Sequence, residues 1–149
     1  DQADEEKVHA RENIRIIFAD DSATLRSAVK RVLTRGGFTN LTVATDGQQA
    51  WDTLQEANQN CEEGKLPFDL VLTDIEMPRM DGLHLTSKIK QDPELRDIPV
   101  VLFSSLITED NRRKGEQVGA DAQVSKPDSD EMLQAVEDCL EKSGVLLAG

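Results

Sequence analysis

Short apolar runs alternate with helix-period segments along the chain from residue 13 onward. Each run is four to six residues long, a length typical of strands, and together the runs are rich in Val, Ile, Leu, Phe and Ala. Each is followed by a segment whose spacing suits one face of a helix, although the fourth such segment is only weakly apolar. The pattern predicts five strands, at residues 14–19, 41–44, 68–73, 100–103 and 122–125.

Capping residues and glycines indicate where the five helices begin. The first helix is expected after Ser22, the second after the Asp46-Gly47 turn, and the third near Gly82. The fourth spans about Glu109 to Val118, and the fifth follows the last strand. Their core-facing residues are predicted to be Leu25, Val29, Val32, Leu33, Ala50, Leu54, Ala57, Leu83, Thr86, Ile89, Met132, Val136, Cys139 and Leu140.

Five repeats of strand then helix define an α/β fold. Strands that read as continuous apolar runs are buried on both faces, so the sheet is expected to be parallel. Right-handed crossovers then place helices on both sides, which gives a doubly wound three-layer sandwich. We expect an acidic linker or tail at residues 1–12, one domain at 13–142 and a C-terminal tail at 143–149.

Charge and hydropathy exclude two classes of partner. Acidic residues number 29 against 17 Lys and Arg, a formal net charge of −12, which opposes binding to the phosphate backbone of nucleic acids. No apolar run approaches the roughly 20 residues that cross a bilayer. Cys61 and Cys139 suit reduced structural thiols better than a disulfide or zinc site. We therefore expect a soluble, cytoplasmic protein.

Polar residues with chemical potential follow four of the predicted strands. In an open parallel sheet, ligands bind beyond the carboxyl ends of the strands. These ends carry Asp20-Asp21 after the first strand, Asp74 after the third, Ser104-Ser105 after the fourth and Lys126-Pro127 after the fifth. Three carboxylates, a hydroxyl and an ammonium group are thus expected to meet on one rim.

Carboxylates in such a group repel one another unless a cation lies among them. Mg²⁺ takes few carboxylates together with water and phosphate oxygens, so it is the expected cofactor. A carboxylate can also attack phosphorus and form an acyl phosphate. Asp74 suits that role because it stands alone at a central strand, while Lys126 and Ser104 could neutralise the phosphoryl oxygens.

The sequence resembles the response-regulator receiver domains of two-component systems. The resemblance covers residues 13 to 142 and is carried by 18–22, 72–82, 103–105 and 125–127, in the order and at the strand ends where that family has its motifs. It implies a flavodoxin-like, CheY-like sheet of order 2-1-3-4-5. It also implies a signalling phosphoacceptor that is not an enzyme in the ordinary sense, although it assists its own phosphorylation and dephosphorylation.

The resemblance assigns a role to each residue at the predicted site. Asp74 becomes the phosphoacceptor and a metal ligand, and Asp20 and Asp21 become the acidic pair, with Asp21 the more direct ligand. The backbone carbonyl of Glu76 becomes a further ligand, and Ser104 the switch hydroxyl beside Ser105.

Phosphate binding and output are assigned to residues nearer the C-terminus. Lys126 pairs with the phosphoryl group, and the Lys126–Pro127 peptide bond is expected to be cis. The signalling surface of the fourth helix and fifth strand includes Arg112, Arg113 and Gln123. Gln123 stands where the family often has a rotating aromatic residue, so an aromatic switch is excluded.

A narrower resemblance connects residues 103–109 and 114–123 to the receiver half of CheV-type chemotaxis coupling proteins. It implies a CheW-like coupling domain ahead of the receiver, joined by the acidic N-terminal stretch. It also implies phosphotransfer from a sensor histidine kinase, the chemotaxis kinase CheA.

Blander and competing interpretations apply to the same residues. Asp20-Asp21 could cap a helix, and Arg112-Arg113 could be solvated. A metal-dependent phosphatase with an aspartyl nucleophile fits Glu76 two residues after Asp74, but gives Asp20-Asp21 no role. A receiver-like scaffold that never meets phosphate would leave the metal and switch residues without purpose. Four motifs at four strand ends favour the phosphoacceptor.

Overall fold

Five short strands form one parallel sheet at the centre of the molecule. Their order is β2-β1-β3-β4-β5, and all four neighbouring pairs are parallel. Both features confirm the predicted fold. The strands are β1 Arg15–Ala19, β2 Asn40–Ala44, β3 Leu70–Asp74, β4 Val100–Ser104 and β5 Ala122–Ser125.

Each strand is followed by a helix, as the alternating pattern predicts. A 3₁₀ turn at Arg11–Asn13 precedes the first strand. The helices are α1 Ala23–Arg35, α2 Gly47–Gln59, α3 Gly82–Gln91, α4 Glu109–Gln117 and α5 Ser129–Lys142. Among the residues that the structure describes, no helix has the length and apolar character needed to span a membrane.

This computed structural model describes residues 10–105, 108–125 and 129–146. Lys126 and Pro127, with the predicted cis peptide bond between them, therefore lie outside the described residues. Most of the predicted linker, residues 1–9, and the end of the predicted tail, residues 147–149, also lie outside them.

The sheet separates two hydrophobic clusters. Successive strand residues point to opposite faces, so Ile16 and Phe18 join one cluster while Ile17 and Ala19 join the other. The first cluster is covered by α1 and α5, and the second by α2 and α3. All four core residues predicted for α5 are buried, and this two-sided arrangement confirms the three-layer prediction.

Two local expectations differ from the structure. The sheet edge at β2 is not buried on both faces, because no further strand covers it, and Val43 there is 44 % exposed. Burial on both faces holds at β3 and β4 in the middle of the sheet. In α3, Leu83 is only half-buried, whereas Leu85 is fully buried beside Thr86 and Ile89. Three other predicted core residues are also only half-buried: Leu25, Val32 and Ala57.

Helix α4 is attached to the sheet differently from the other helices. Gly115 is its only buried residue, and the remaining positions are half-buried or exposed. The side chain of Gln123 in β5 lies directly against Gly115, where a Cβ atom would stand 2.4 Å from the Gln123 Nε2 atom. Little apolar surface therefore holds α4 in place.

Candidate functional site

Three carboxylates meet beyond the carboxyl ends of β1 and β3. One carboxylate oxygen from each of Asp20, Asp21 and Asp74 lies within 4.8 Å of the other two. Asp20 is fully buried and Asp74 is 6 % exposed, whereas Asp21 is exposed. The parallel pairing of β1 with β3 brings these strand ends side by side, as the sequence pattern predicts.

Local hydrogen bonds hold Asp20 at the rim of the sheet. Its Oδ1 accepts from the backbone N–H of Ser22 at 2.9 Å, and its backbone carbonyl accepts from the Arg26 guanidinium at 2.8 Å. Ser22 in turn caps α1, its hydroxyl accepting from Leu25 N–H at 3.3 Å. The cap of α1 is therefore Ser22, as predicted, and not Asp20 or Asp21, while the Ser22 N–H orients the Asp20 side chain.

Asp74 ends β3 at the start of a tightly folded loop. Its Oδ1 accepts from Glu76 N–H at 3.3 Å, and its backbone carbonyl accepts from the Thr73 hydroxyl at 3.0 Å. Gly82 N–H donates to Ile75 O at 2.8 Å, and a Cβ atom at Gly82 would lie 2.1 Å from the Asp74 carbonyl oxygen. Only glycine allows the loop to return this closely to the strand.

The two predicted serines occupy different environments. Ser104 is fully buried at the end of β4, and its hydroxyl lies 3.5 Å from a carboxylate oxygen of Glu76, a long and weak contact. Ser105 is exposed. Ser104 therefore lies beside the loop that follows Asp74, and Ser105 faces solvent.

An ion pair between Asp46 and Arg79 was missed by the sequence analysis, which treated Asp46-Gly47 only as a turn. Asp46 is buried, caps α2 by accepting from Gln49 N–H at 2.8 Å, and accepts from Arg79 Nε at 3.0 Å and from Arg79 Nη2. The Arg79 guanidinium lowers the pKa of Asp46, and the carboxylate raises that of Arg79. The partners are 33 residues apart, so no local pattern could have indicated the pair.

The residues predicted to form a signalling surface lie at the contact between α4 and β5. The Gln123 amide donates from Nε2 to the Arg112 carbonyl at 2.8 Å, while its buried Oε1 has no hydrogen-bond partner among the residues that the structure describes. Arg112 and Arg113 are exposed. Gln123 thus connects the strand to the helix through a single hydrogen bond.

The donor set fits a hard divalent cation. Buried carboxylates this close together repel unless a cation or a proton lies among them. A few carboxylate oxygens at an open edge, with room for water and phosphate oxygens, are what Mg²⁺ prefers. The three carboxylates therefore fit the ligand preference of Mg²⁺.

Comparison with known proteins agrees with this geometry. The family model of the response regulator receiver domain matches residues 16–137. The chain belongs to this family, whose members accept phosphoryl groups in two-component signalling. The matched segment lies inside the predicted domain of residues 13–142.

Individual relatives connect the chain with chemotaxis. It is 30 % identical to chemotaxis protein CheV3 of Helicobacter pylori over 86 % of its length, but it spans only 41 % of that protein. It is 32 % identical to chemotaxis protein CheY-3 of Vibrio cholerae, with 77 % of this chain and 82 % of that protein covered.

A solved structure gives the same fold. The receiver domain of a histidine kinase from Syntrophus aciditrophicus superposes with a TM-score of 0.72 at 28 % identity, covering 91 % of this chain and 94 % of that one. The family, the chemotaxis relatives and the sheet order thus confirm the resemblance drawn from the sequence.

Proposed function

We propose that Asp74 is the phosphoacceptor of this receiver domain and that Asp20, Asp21 and the Glu76 backbone carbonyl complete its Mg²⁺ site. The observation that carries this proposal is the meeting of three carboxylates within 4.8 Å at the ends of β1 and β3. Asp74 is the candidate nucleophile because it ends β3, between β1 and β4, and is almost buried. Bound Mg²⁺ would supply charge neutralisation for the carboxylates and the phosphoryl oxygens.

The transfer step begins from a phosphohistidine on a sensor kinase. A carboxylate oxygen of Asp74 attacks phosphorus, the P–N bond breaks, and its electron pair leaves with the imidazole, which takes up a proton. The product is an acyl phosphate on Asp74. Attack by water on the same phosphorus would return the free carboxylate and release inorganic phosphate, the slow self-dephosphorylation expected of the domain.

Neighbouring residues have supporting roles in this scheme. The Ser104 hydroxyl would donate to a phosphoryl oxygen, with the exposed Ser105 beside it. Lys126, outside the described residues, would provide the positive charge that pairs with the phosphoryl group. The shift of Ser104 toward phosphate would change the loop that leads into α4.

The output of the domain is proposed to be the α4–β5 surface. Helix α4 has few buried contacts, so small changes at its attachment can shift its position. Gln123 links the two elements through Arg112, and Arg112 and Arg113 are exposed toward a partner. Phosphorylation would stabilise an alternative arrangement of this surface, and a partner would select it by differential binding.

The chemotaxis relatives support a particular cellular setting. The donor would be a CheA-type histidine kinase in the cytoplasm, and a CheW-like coupling domain would precede residues 1–12, which would serve as a linker. Residues 143–149 would form a C-terminal tail. The similarity to CheV3 supports this arrangement.

Asp74→Asn tests the assignment directly. Wild-type protein with Mg²⁺ and phosphorylated CheA-type kinase should acquire one acid-stable, base-labile phosphoryl group, measured by intact-protein mass and radiolabel. Asp74→Asn should acquire less than about one hundredth as much, because the amide is not a nucleophile. Asp138→Asn is the matched control, since Asp138 is an exposed carboxylate on α5, outside both the cluster and the loop that follows Asp74, and should leave labelling unchanged.

Two outcomes would contradict the proposal. Equal labelling of Asp74→Asn and wild type would place the phosphoryl group elsewhere. Steady turnover of p-nitrophenyl phosphate, lost in Asp74→Asn, would favour the phosphatase alternative.

A further inference from the structure

Asp46 is a buried carboxylate that is not one of the three clustered aspartates. It is 1 % exposed, yet Arg79 and the N-terminus of α2 keep it charged. Burying a charged carboxylate is unfavourable unless it is paired and hydrogen-bonded, as it is here. A helix cap alone does not require such a pair.

Its partner Arg79 has an unusual backbone. Among the described residues, Arg79 is the only non-glycine residue with a positive φ angle, 65°. Met80 N–H donates to Pro78 O at 2.7 Å, which closes a γ-turn centred on Arg79. A side chain makes this conformation strained, and it persists only where surrounding contacts enforce it.

The contacts that enforce the turn come from the start of α2. The Asp46 carboxylate binds the Arg79 guanidinium, and Gly47 N–H donates to the Met80 carbonyl at 3.1 Å. A Cβ atom at Gly47 would stand 2.0 Å from that carbonyl oxygen, so the loop and α2 are in close contact. The segment 75–81 is therefore held against α2 by Asp46 and Gly47.

The same segment joins the acidic cluster to α3. It begins directly after Asp74, and Glu76, whose N–H donates to the Asp74 carboxylate, lies three residues before Arg79. A displacement of the turn would therefore reach Glu76 and the orientation of the Asp74 carboxylate.

We propose that Asp46 is a positioning residue for the phosphorylation site, acting through Arg79 on segment 75–81. This inference rests on the proposed function of Asp74. The ion pair keeps the strained turn in a single conformation, and the turn in turn fixes the Glu76 backbone and the Asp74 carboxylate for Mg²⁺. Asp46 itself touches neither the cation nor the phosphoryl group.

Asp46→Asn breaks the ion pair while an amide oxygen remains to cap α2. In the metal-free protein, the amide NMR signals of residues 75–80 should shift or broaden. The Mg²⁺ dissociation constant, measured by titrating those signals, should rise about tenfold. This is the lower end of the range expected when a residue that orients a metal ligand is lost. The phosphorylation rate with acetyl phosphate should fall at low Mg²⁺ and recover at saturating Mg²⁺, since Asp74 is intact.

Arg79→Gln distinguishes an effect of loop positioning on Mg²⁺ affinity from a direct effect of side-chain charge. Arg79 is 70 % exposed in its side chain, so this variant should fold even if Asp46→Asn does not. Removing a positive charge would by itself strengthen Mg²⁺ binding, whereas removing the negative charge of Asp46 would weaken it. Positioning predicts weaker binding in both variants, and the double variant should bind Mg²⁺ about as weakly as either single one.

Asp69→Asn is the matched control for the loss of a buried carboxylate paired with arginine. Asp69 is 7 % exposed and pairs with Arg15 at the amino end of β3, opposite Asp74. It should lower the melting temperature without changing the Mg²⁺ dissociation constant.

The outcomes separate the inference from the proposed function. The inference is overturned if wild type binds Mg²⁺ and is phosphorylated, yet Asp46→Asn and Arg79→Gln bind Mg²⁺ as well as wild type. It is equally overturned if Arg79→Gln binds more tightly, or if Asp69→Asn weakens binding as much. Failure of wild type itself to bind Mg²⁺ or accept phosphate would instead overturn the proposed function.

Discussion

At the scale of single residues, the three aspartates at the strand ends differ from Asp46 in what surrounds their negative charge. Asp20, Asp21 and Asp74 lie together at strand ends, which the sequence pattern predicts because parallel strands end on one edge. Asp46 is satisfied instead by Arg79, a partner 33 residues away. The strand-end carboxylates could be found from the sequence, whereas the ion pair depends on a tertiary contact that no local spacing encodes.

The pairing of Asp46 predicts a specific dependence of stability on pH. Arg79 holds the pKa of Asp46 below its ordinary value of 3.8, so the stabilisation is complete above that pH. It is lost as pH falls through the lower, folded-state pKa. Asp46→Asn should be less stable than wild type by about 1–2 kcal/mol at pH 6, the worth of a charged hydrogen bond to a partly exposed partner.

Urea denaturation of both proteins between pH 2 and pH 7 measures this difference. It should be constant from about pH 5 upward and shrink below pH 4, where Asp46 takes up a proton in the unfolded chain while the folded chain still holds it charged. A difference that stays the same down to pH 2 would contradict the paired state of Asp46.

At the scale of elements, α4 stands apart because its stability comes from few tertiary contacts. Although its sequence is strongly polar, the helix was predicted between the fourth and fifth strands. The prediction was about 109–118, and the structure has Glu109–Gln117. Its attachment through Gln123 and Gly115 could not be predicted, because glutamine at a strand position has no pattern that names a helix as its partner. Within the described parts of the chain the buried Oε1 of Gln123 has no hydrogen-bond partner, which makes this attachment weaker than an apolar one.

Gly115→Ala tests how Gln123 fits against α4. Alanine is favoured over glycine within a helix by about 1 kcal/mol, but its Cβ would stand 2.4 Å from Gln123 Nε2. The amide must then move and lose its bond to Arg112, so the net change in unfolding free energy should be within roughly 0.5 kcal/mol. In a Gln123→Ala background, the same substitution should stabilise by about 1 kcal/mol.

Chemical denaturation of wild type, the two single variants and the double variant gives the coupling free energy between positions 115 and 123. An identical effect of Gly115→Ala in both backgrounds would mean that Gln123 does not occupy the space over Gly115.

At the scale of the whole molecule, the alternation of apolar runs and helix-period segments determined the architecture. Runs in the middle of the sheet carry continuous apolar residues because helices cover both faces, which β3 and β4 show. The edge strand β2 does not follow this rule: of its five residues only Ala44 is buried. The sheet order came from the family resemblance, because periodicity alone does not say which strands are neighbours.

The two cysteines should differ in how fast they react with an alkylating reagent in the folded protein. Cys139 lies in the α1–α5 cluster, and burial, with a smaller contribution from the Asp121 carboxylate, raises its pKa to about 11. Little Cys139 thiolate is present at pH 8, and the residue is only 6 % exposed, which restricts access of a reagent to the sulfur. Cys61 is half-buried near the end of α2, with Sγ 3.4 Å from Lys65 O.

Iodoacetamide labelling at pH 8, followed by peptide mass analysis, should modify Cys61 at least tenfold faster than Cys139 under native conditions, because Cys139 is buried and little of it is thiolate. Urea below the unfolding midpoint should accelerate only Cys139. Comparable native rates would contradict the packing of α5 against the sheet.

The single tryptophan of the chain also occupies an informative position. Trp51 is half-buried on α2, and the Lys88 ammonium of α3 lies 4.9 Å from the centre of its ring. The indole therefore spans the two helices that flank segment 75–81, rather than the α4–β5 surface. The fluorescence of Trp51 depends on the contact between α2 and α3. A change in its emission on adding Mg²⁺ would therefore report a change in the position of segment 75–81 and not a movement of α4.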